Sequence, residues 1–194
     1  MDAHDDTPEI RDTIELDERS VKVLAHPLRS RILSRLRIAG PATATTIAAA
    51  LGTNSGATSY HLRALESVGL VVDTEEGAGR RRLWRAASRA HSWVNSAFEG
   101  DEDARTAMDW LQRDYVRQFA VRAEEWLDAA AEWPTEWVDV MGLSDTFLEV
   151  TPAQAASLRD ELAALAEKYR DAGSGDGSAR RIHLTTFTRP VDLG

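Results

Sequence analysis

Residues 56–87, GATSYHLRALESVGLVVDTEEGAGRRRLWRAA, decide the fold of this chain. The stretch begins with helical periodicity, because Thr58, Leu62 and Leu65 share one stripe at about 100° per residue. The helix ends at a glycine, and a short apolar strand follows it. An acidic, glycine-containing turn and a return strand over residues 80–85 then complete a hairpin. A helix followed by a two-stranded wing is therefore predicted here.

Three shorter helices are predicted upstream of this stretch. Asp17 and Thr43 are good N-caps for the first and the third of them. His26-Pro27 separates the first from the second, because the residue before a proline is disfavoured in the helical conformation. A tight turn precedes the helix of the opening stretch. This order of helices, turn and hairpin predicts a winged helix-turn-helix domain, with upstream helices over residues 17–24, 28–39 and 44–51.

Charge is segregated along the chain, although the formal net charge is -9. Residues 1–16 are acidic and lack periodicity, which predicts a mobile tail. Residues 17–90 hold twelve Lys and Arg against six acidic residues, whereas residues 91–194 hold ten against twenty. The basic segment is typical of a domain that binds a polyanion; chance clustering on a solvated surface is the alternative. Three regions are predicted: a tail over 1–16, the winged domain over 17–90 and a further domain over 91–194.

The face of the fourth helix opposite its apolar stripe is small, hydroxylic and cationic. Such a surface suits a major groove, where hydroxyls and guanidinium groups meet base edges and phosphates. Arginines just behind the tip of the wing are placed for phosphates or a minor groove, or they protect an edge strand by charge. His61, at the side of the apolar stripe, either packs between helices or contacts DNA. The candidate DNA-binding residues are Thr43, Thr45, Ser55, Gly56, Ser59, Tyr60, His61, Arg63, Arg80, Arg81 and Arg82.

Four segments in this order and spacing resemble the DNA-binding domain of ArsR-type winged-helix repressors: LAHPLRSRILSRL, TATTIAAALG, SGATSYHLRALESVGLV and GRRRLWRAA. The resemblance covers about residues 17–90 and is greatest to actinobacterial members with an extended C-terminal half. It implies a homodimer that binds palindromic operator DNA and responds to a signal. The sequence departs from the metal-sensing members, since it has no cysteine and its five histidines are scattered. No metal site and no cofactor are expected.

Other function classes find little support in the sequence. Phosphate-binding glycine loops, nucleophile elbows and metalloprotease motifs are absent, and neighbouring acids on a helix diverge by about 100°, so no enzyme activity is expected. The apolar runs are too short for a membrane span, and the acidic start is unlike a secretory signal. A cytoplasmic protein without membrane contact is predicted.

The C-terminal half is predicted to be a small α+β domain. Residues 101–133 form a long helix with an aromatic-rich stripe, for which three interpretations stay open: a dimer interface, an intramolecular core, or the wall of a pocket for a small apolar ligand. A hairpin over 137–150, a helix from a capping box at Thr151 to about 171, and a strand over 180–188 are predicted to follow.

The fold class expected from the sequence is therefore mainly α with small β elements. A winged helix-turn-helix domain precedes a helical α+β domain for dimerisation or effector binding. The predicted function is a DNA-binding transcriptional regulator, a repressor, that binds a palindromic operator as a homodimer through its recognition helix and basic wing. The alternative is a winged-helix protein-interaction module, which is expected to expose apolar groups on the fourth helix.

Overall fold

The computed structural model describes residues 11–76 and 82–191, and these form a mainly helical protein with two small sheets. No described helix has the length and apolar character needed to cross a membrane. The strands are β1 (Arg11–Glu15), β2 (Ala42–Thr43), β3 (Val71–Asp73), β4 (Leu83–Ala86) and β5 (Ser88–Ser92). The helices are α1 (Glu18–Leu24), α2 (Pro27–Ala39), α3 (Ala44–Leu51), α4 (Ser55–Glu66), α5 (Glu102–Ala129), α6 (Thr135–Val138) and α7 (Pro152–Lys168).

The four predicted N-terminal helices are all present, and local capping explains where they begin. Asp17 forms a capping box with Ser20 at α1. The side chain of His26 accepts a hydrogen bond from the backbone N–H of Leu28, so it caps α2, with Pro27 at the first helical position. Caps of this kind satisfy backbone N–H groups that have no partner within the helix. The first turns of these helices are thus specified by nearby side chains.

The core of the winged domain forms where α2, α3 and α4 meet the wing. Thr58, Leu62 and Leu65 are all fully buried, which confirms the predicted apolar stripe of α4. Trp84 of β4 is buried as well. The wing is an antiparallel pair of β3 and β4, and β2 pairs with the other edge of β4, giving the order β2-β4-β3. The two-residue strand β2 was not predicted, because so short a segment shows no alternation.

The N-terminal segment corrects one prediction. Residues 11–15 form β1, which pairs in parallel with β5, and the following Leu16 is only 2% exposed. The expected mobile tail over residues 1–16 is therefore wrong for residues 11–16; residues 1–10 lie outside the described part. Most of β1 is exposed, so the strand has no alternation of buried and exposed residues. Its hydrogen-bonding partner is also far away in sequence.

The chain divides into two compact units, and the division falls within α5, between Ala120 and Val121. The first half of α5 belongs to the first unit, where Ala104, Met108 and Leu111 are buried in the same core as the winged domain. Residues 91–120 thus extend the unit beyond the predicted boundary at residue 90. The predicted long helix is confirmed, although its α-helical part ends at Ala129.

The second unit is helical in its described residues, which corrects the α+β expectation. Residues 137 and 138, at the start of the predicted hairpin, belong to α6, and residues 143–150 and 180–188 adopt no regular structure. Both extended segments contain apolar residues, but a strand needs a hydrogen-bonded neighbour, and the described chain supplies none there. The capping box that opens α7 is present at Thr151 and Gln154.

Candidate nucleic-acid interface

A shallow concavity of about 250 Å³ opens where the first turns of α3 and α4 meet strand β4. It brings together six of the eleven residues predicted to bind DNA. None of its described lining residues is acidic, whereas two of them are arginines. The lining residues are Thr43, Ala44, Thr45, Ser55, Ser59, Arg63, Arg82 and Trp84.

The position of α4 is fixed by its N-cap. The side-chain oxygen of Asn54 accepts a hydrogen bond of 2.8 Å from the backbone N–H of Ala57. Gly56 leaves room for this cap, because a Cβ added there would lie 3.3 Å from the same Asn54 oxygen. Ser55, Gly56 and the side chains one and two turns later therefore have a defined orientation at the surface.

The predicted outer face of α4 is accessible. Tyr60 is 65% exposed, and Arg63 is also exposed. Ser59 is half-buried beside the concavity. Tyr60 lies outside the concavity, further round the helix, and so does Gly56. Hydroxyl, phenol and guanidinium groups thus form one continuous surface along the helix.

Helix α3 contributes two threonines with different environments. The Thr43 hydroxyl caps the helix, accepting a hydrogen bond of 3.2 Å from the backbone N–H of Thr46. It also lies 3.0 Å from the Thr46 hydroxyl. Thr45 is exposed at the rim of the concavity. Thr43 therefore has a structural role as a cap, whereas the side chain of Thr45 is accessible to a ligand.

The wing contributes Arg82, which is held in place from two sides. Its Nε lies 3.2 Å from a carboxylate oxygen of Asp73 on the facing strand. Its guanidinium carbon lies 5.8 Å from the centroid of the Trp84 ring. These contacts direct Arg82 along the wall of the concavity. Arg80 and Arg81, also predicted to bind DNA, lie outside the described residues.

His61 lies on the flank of α4 that faces the start of α2. Its ring packs against that of His26 at a tilt of 38°, with centroids 4.5 Å apart, and contacts the Tyr60 ring at 5.2 Å. Burial lowers the pKa of His61, and the neighbouring His26 and Arg29 lower it further. Of the two interpretations of His61, interhelical packing is the one that the structure displays. A DNA contact by His61 stays a prediction.

Arg29 is a residue of this region that is not among the DNA-binding candidates predicted from the sequence. It is half-buried beside Tyr60 and the two histidines. The available signal was its spacing, since Arg29 precedes the buried Leu33 by four residues and therefore lies at the edge of the apolar stripe.

Comparison with known families agrees with this part of the fold. Residues 24–74 match the model of a helix-turn-helix domain family. The match begins at the end of α1, covers α2, α3 and α4, and extends to the end of strand β3. No curated protein matches the chain. The N-terminal part of the chain therefore contains a helix-turn-helix domain, which supports a function in DNA binding and regulation.

Proposed function

We propose that the protein is a transcriptional repressor that binds a palindromic operator as a homodimer. The observation that supports this most is the concavity beside α4. There the exposed ends of two helices and the wing present hydroxyls and two arginines without a carboxylate. Polyanionic DNA is the partner whose charge complements this surface.

The residues suit different parts of a duplex. Arg63, exposed in the last turn of α4, has the reach and the paired donors to contact guanine O6 and N7 in the major groove. Hydroxyls of Thr45, Ser55 and Ser59 near the helix starts suit phosphates or base edges. Arg82 at the base of the wing suits the phosphate backbone. We assign α4 as the recognition helix on this basis.

The second unit supports the homodimer part of the proposal. None of its described residues, 121–191, is buried, whereas several large apolar side chains are mostly exposed. Large exposed apolar surfaces in soluble domains are typical of interfaces. A second copy related by a two-fold axis would cover such a surface and place two recognition helices on a palindrome. The exposed residues include Leu127, Val140, Leu143, Phe147, Leu184 and Phe187.

We also place the response to a signal in the second unit. The rings of Trp126, Trp133 and Trp137 follow one another at centroid distances of 5.9 and 6.5 Å. Trp133 is 40% exposed. Neighbouring indoles in tilted and edge-to-face contact offer contact area to a small apolar effector.

The protein-interaction alternative has less support. It requires exposed apolar groups on the recognition face, and Tyr60 is the one large exposed apolar side chain among the described residues of α3 and α4. Tyrosine also serves in nucleic-acid interfaces through its hydroxyl.

The test is to identify bound duplexes by genomic footprinting and to titrate the best one with the parent and with Arg63→Ala. We expect the variant to lose about 1–3 kcal/mol on the operator and much less on a random duplex. Arg31→Ala, which removes an exposed arginine from α2, is the matched control and should bind as the parent does. Equal affinity of the parent for all duplexes would contradict the proposal.

A further inference from the structure

Four side chains form a cluster where the start of α2 meets the flank of α4: His26, Arg29, Tyr60 and His61, here called the α2–α4 cluster. The centroids of the two imidazole rings are 4.5 Å apart with the ring planes tilted by 38°, and the Tyr60 ring meets that of His61 nearly edge-on at 5.2 Å. Arg29 interacts electrostatically with all three neighbours. The cluster thus surrounds a permanent cation with neutral, polarisable rings.

The charge of Arg29 is not compensated within the described structure. Its Nε is buried and has no hydrogen-bond partner there, and no described carboxylate forms an ion pair with it. Burial lowers the pKa of Arg29, and the pKa of each histidine is also lowered, by burial first and then by neighbouring cations including Arg29. A half-buried cation without a counter-charge is unfavourable, so an anion that approaches the cluster gains a strong interaction.

The position of the cluster relative to α4 suggests which anion this is. Ser59 faces the concavity and Arg82, whereas His61 faces Arg29. Because these residues are two positions apart in the sequence, their side chains point about 200° apart around the helix. Arg63 and the exposed Tyr60 lie between these directions, on the outer face. Two cations, Arg82 and Arg29, therefore flank the recognition face on opposite sides. A helix in the major groove is bordered on both sides by phosphate backbones.

We propose that the α2–α4 cluster is a second phosphate-binding site, in which Arg29 contacts the DNA backbone on the side of the recognition helix opposite the wing. This inference rests on the proposed DNA-binding function and extends its interface to α2. Tyr60 bounds the site on the groove side, and the paired rings of His26 and His61 lie between α2 and α4. The contact contributes affinity and register, and it does not distinguish sequences.

The experiment compares the full chain with Arg29→Gln on the identified operator and on a random duplex over a range of salt concentrations. The expected result is an affinity lower by roughly five- to tenfold on both duplexes, with the slope of log K against log salt reduced by about one. Arg29→Lys keeps the charge and should keep the salt slope. Arg31→Gln, an exposed arginine two residues away on the same helix, should change neither quantity.

A second measurement changes the DNA, so that the phosphate contact is first located with the unmodified protein and is then compared with Arg29→Gln. Single neutral methylphosphonate substitutions are placed along the operator. At one position, outside the stretch of DNA that faces the wing, the substitution should weaken binding by the parent. The same substitution should have no effect on binding by Arg29→Gln. If no such phosphate exists, or if Arg29→Gln weakens binding with an unchanged salt slope, Arg29 has a structural role and the inference is overturned. If Arg63→Ala loses its preference for the operator while Arg29→Gln binds as the parent does, this inference is overturned and the proposed function stands.

Discussion

Arg37 links two helices to a strand. Its Nη1 lies 2.5 Å from Nδ1 of His91, and its Nε donates a hydrogen bond of 3.0 Å to the backbone oxygen of Ser88. Nε2 of His91 lies 2.7 Å from the Tyr115 hydroxyl. Because a guanidinium only donates, His91 accepts at Nδ1 and carries its proton on Nε2. The network therefore requires a neutral histidine.

The pH dependence of stability follows from this requirement. Burial, and next the charge of Arg37, lower the pKa of His91 to about 3, against 6.5 for a free side chain. The unfolded state thus binds the proton more readily, so the stability from neutral His91 is complete above about pH 6.5 and is lost as pH falls toward 3. Glutamine does not titrate, so we expect the free energy of unfolding of His91→Gln to fall less steeply with falling pH than that of the parent. The two slopes should differ by roughly 1.4 kcal/mol per pH unit between about pH 5.5 and 3.5. Urea unfolding of both proteins across this range measures the difference, and parallel pH profiles would contradict it.

Among the elements, those specified by neighbouring residues were predictable and those specified by distant partners were not. Helices α1 to α4 were predicted because caps such as Asp17 and Thr43 act within three residues. The wing was predicted from its own alternation and turn. Strand β1 was missed because Arg11 pairs with Ser88, a partner that no local pattern identifies. In the candidate site, Ser55, Ser59 and Arg63 were predictable from one helical wheel.

The contribution of β1 is testable by truncation. A chain beginning at Asp17 lacks the strand and Leu16, whereas a chain beginning at Arg11 keeps both. We expect the shorter chain to be less stable by about 2–4 kcal/mol, since it loses a fully buried leucine and a strand pairing. Urea unfolding followed by circular dichroism compares the two. Equal midpoints would mean that β1 does not contribute to the stability of the first unit.

The wing offers a pair of predictions with opposite sign. Arg82→Gln should weaken binding to operator and random duplexes alike and reduce the salt slope by about one, because one phosphate contact is lost. Asp73→Asn removes the carboxylate that lies 3.2 Å from Arg82, so it should strengthen binding and steepen the slope. Adding Arg80→Gln to Arg82→Gln should reduce the slope further. An unchanged slope in Arg82→Gln would indicate that the wing arginines protect the strand edge instead.

At the scale of the whole molecule, the two units differ in how much of each is buried. The first unit has a continuous buried core that includes Phe98 and Leu111. The second unit has apolar residues in its two extended segments, which predicted strands, yet none of its described residues is buried. In the dimer that we propose, this surface is covered by a second copy, and pairing between chains cannot be predicted from one chain's local periodicity.

Assembly is therefore the property that tests the molecule as a whole. We expect the full chain to sediment as a dimer at micromolar concentration, and a chain ending at Ala120 to remain folded but monomeric, with much weaker operator binding. Two linked recognition helices bind a palindrome far more tightly than one, because the second contact is intramolecular. Ending the chain at Ala90 instead would remove Phe98, Met108 and Leu111 from the core of the first unit, and we expect that chain to unfold. A full-length monomer that still protects a symmetric site in footprinting would contradict dimerisation through the second unit.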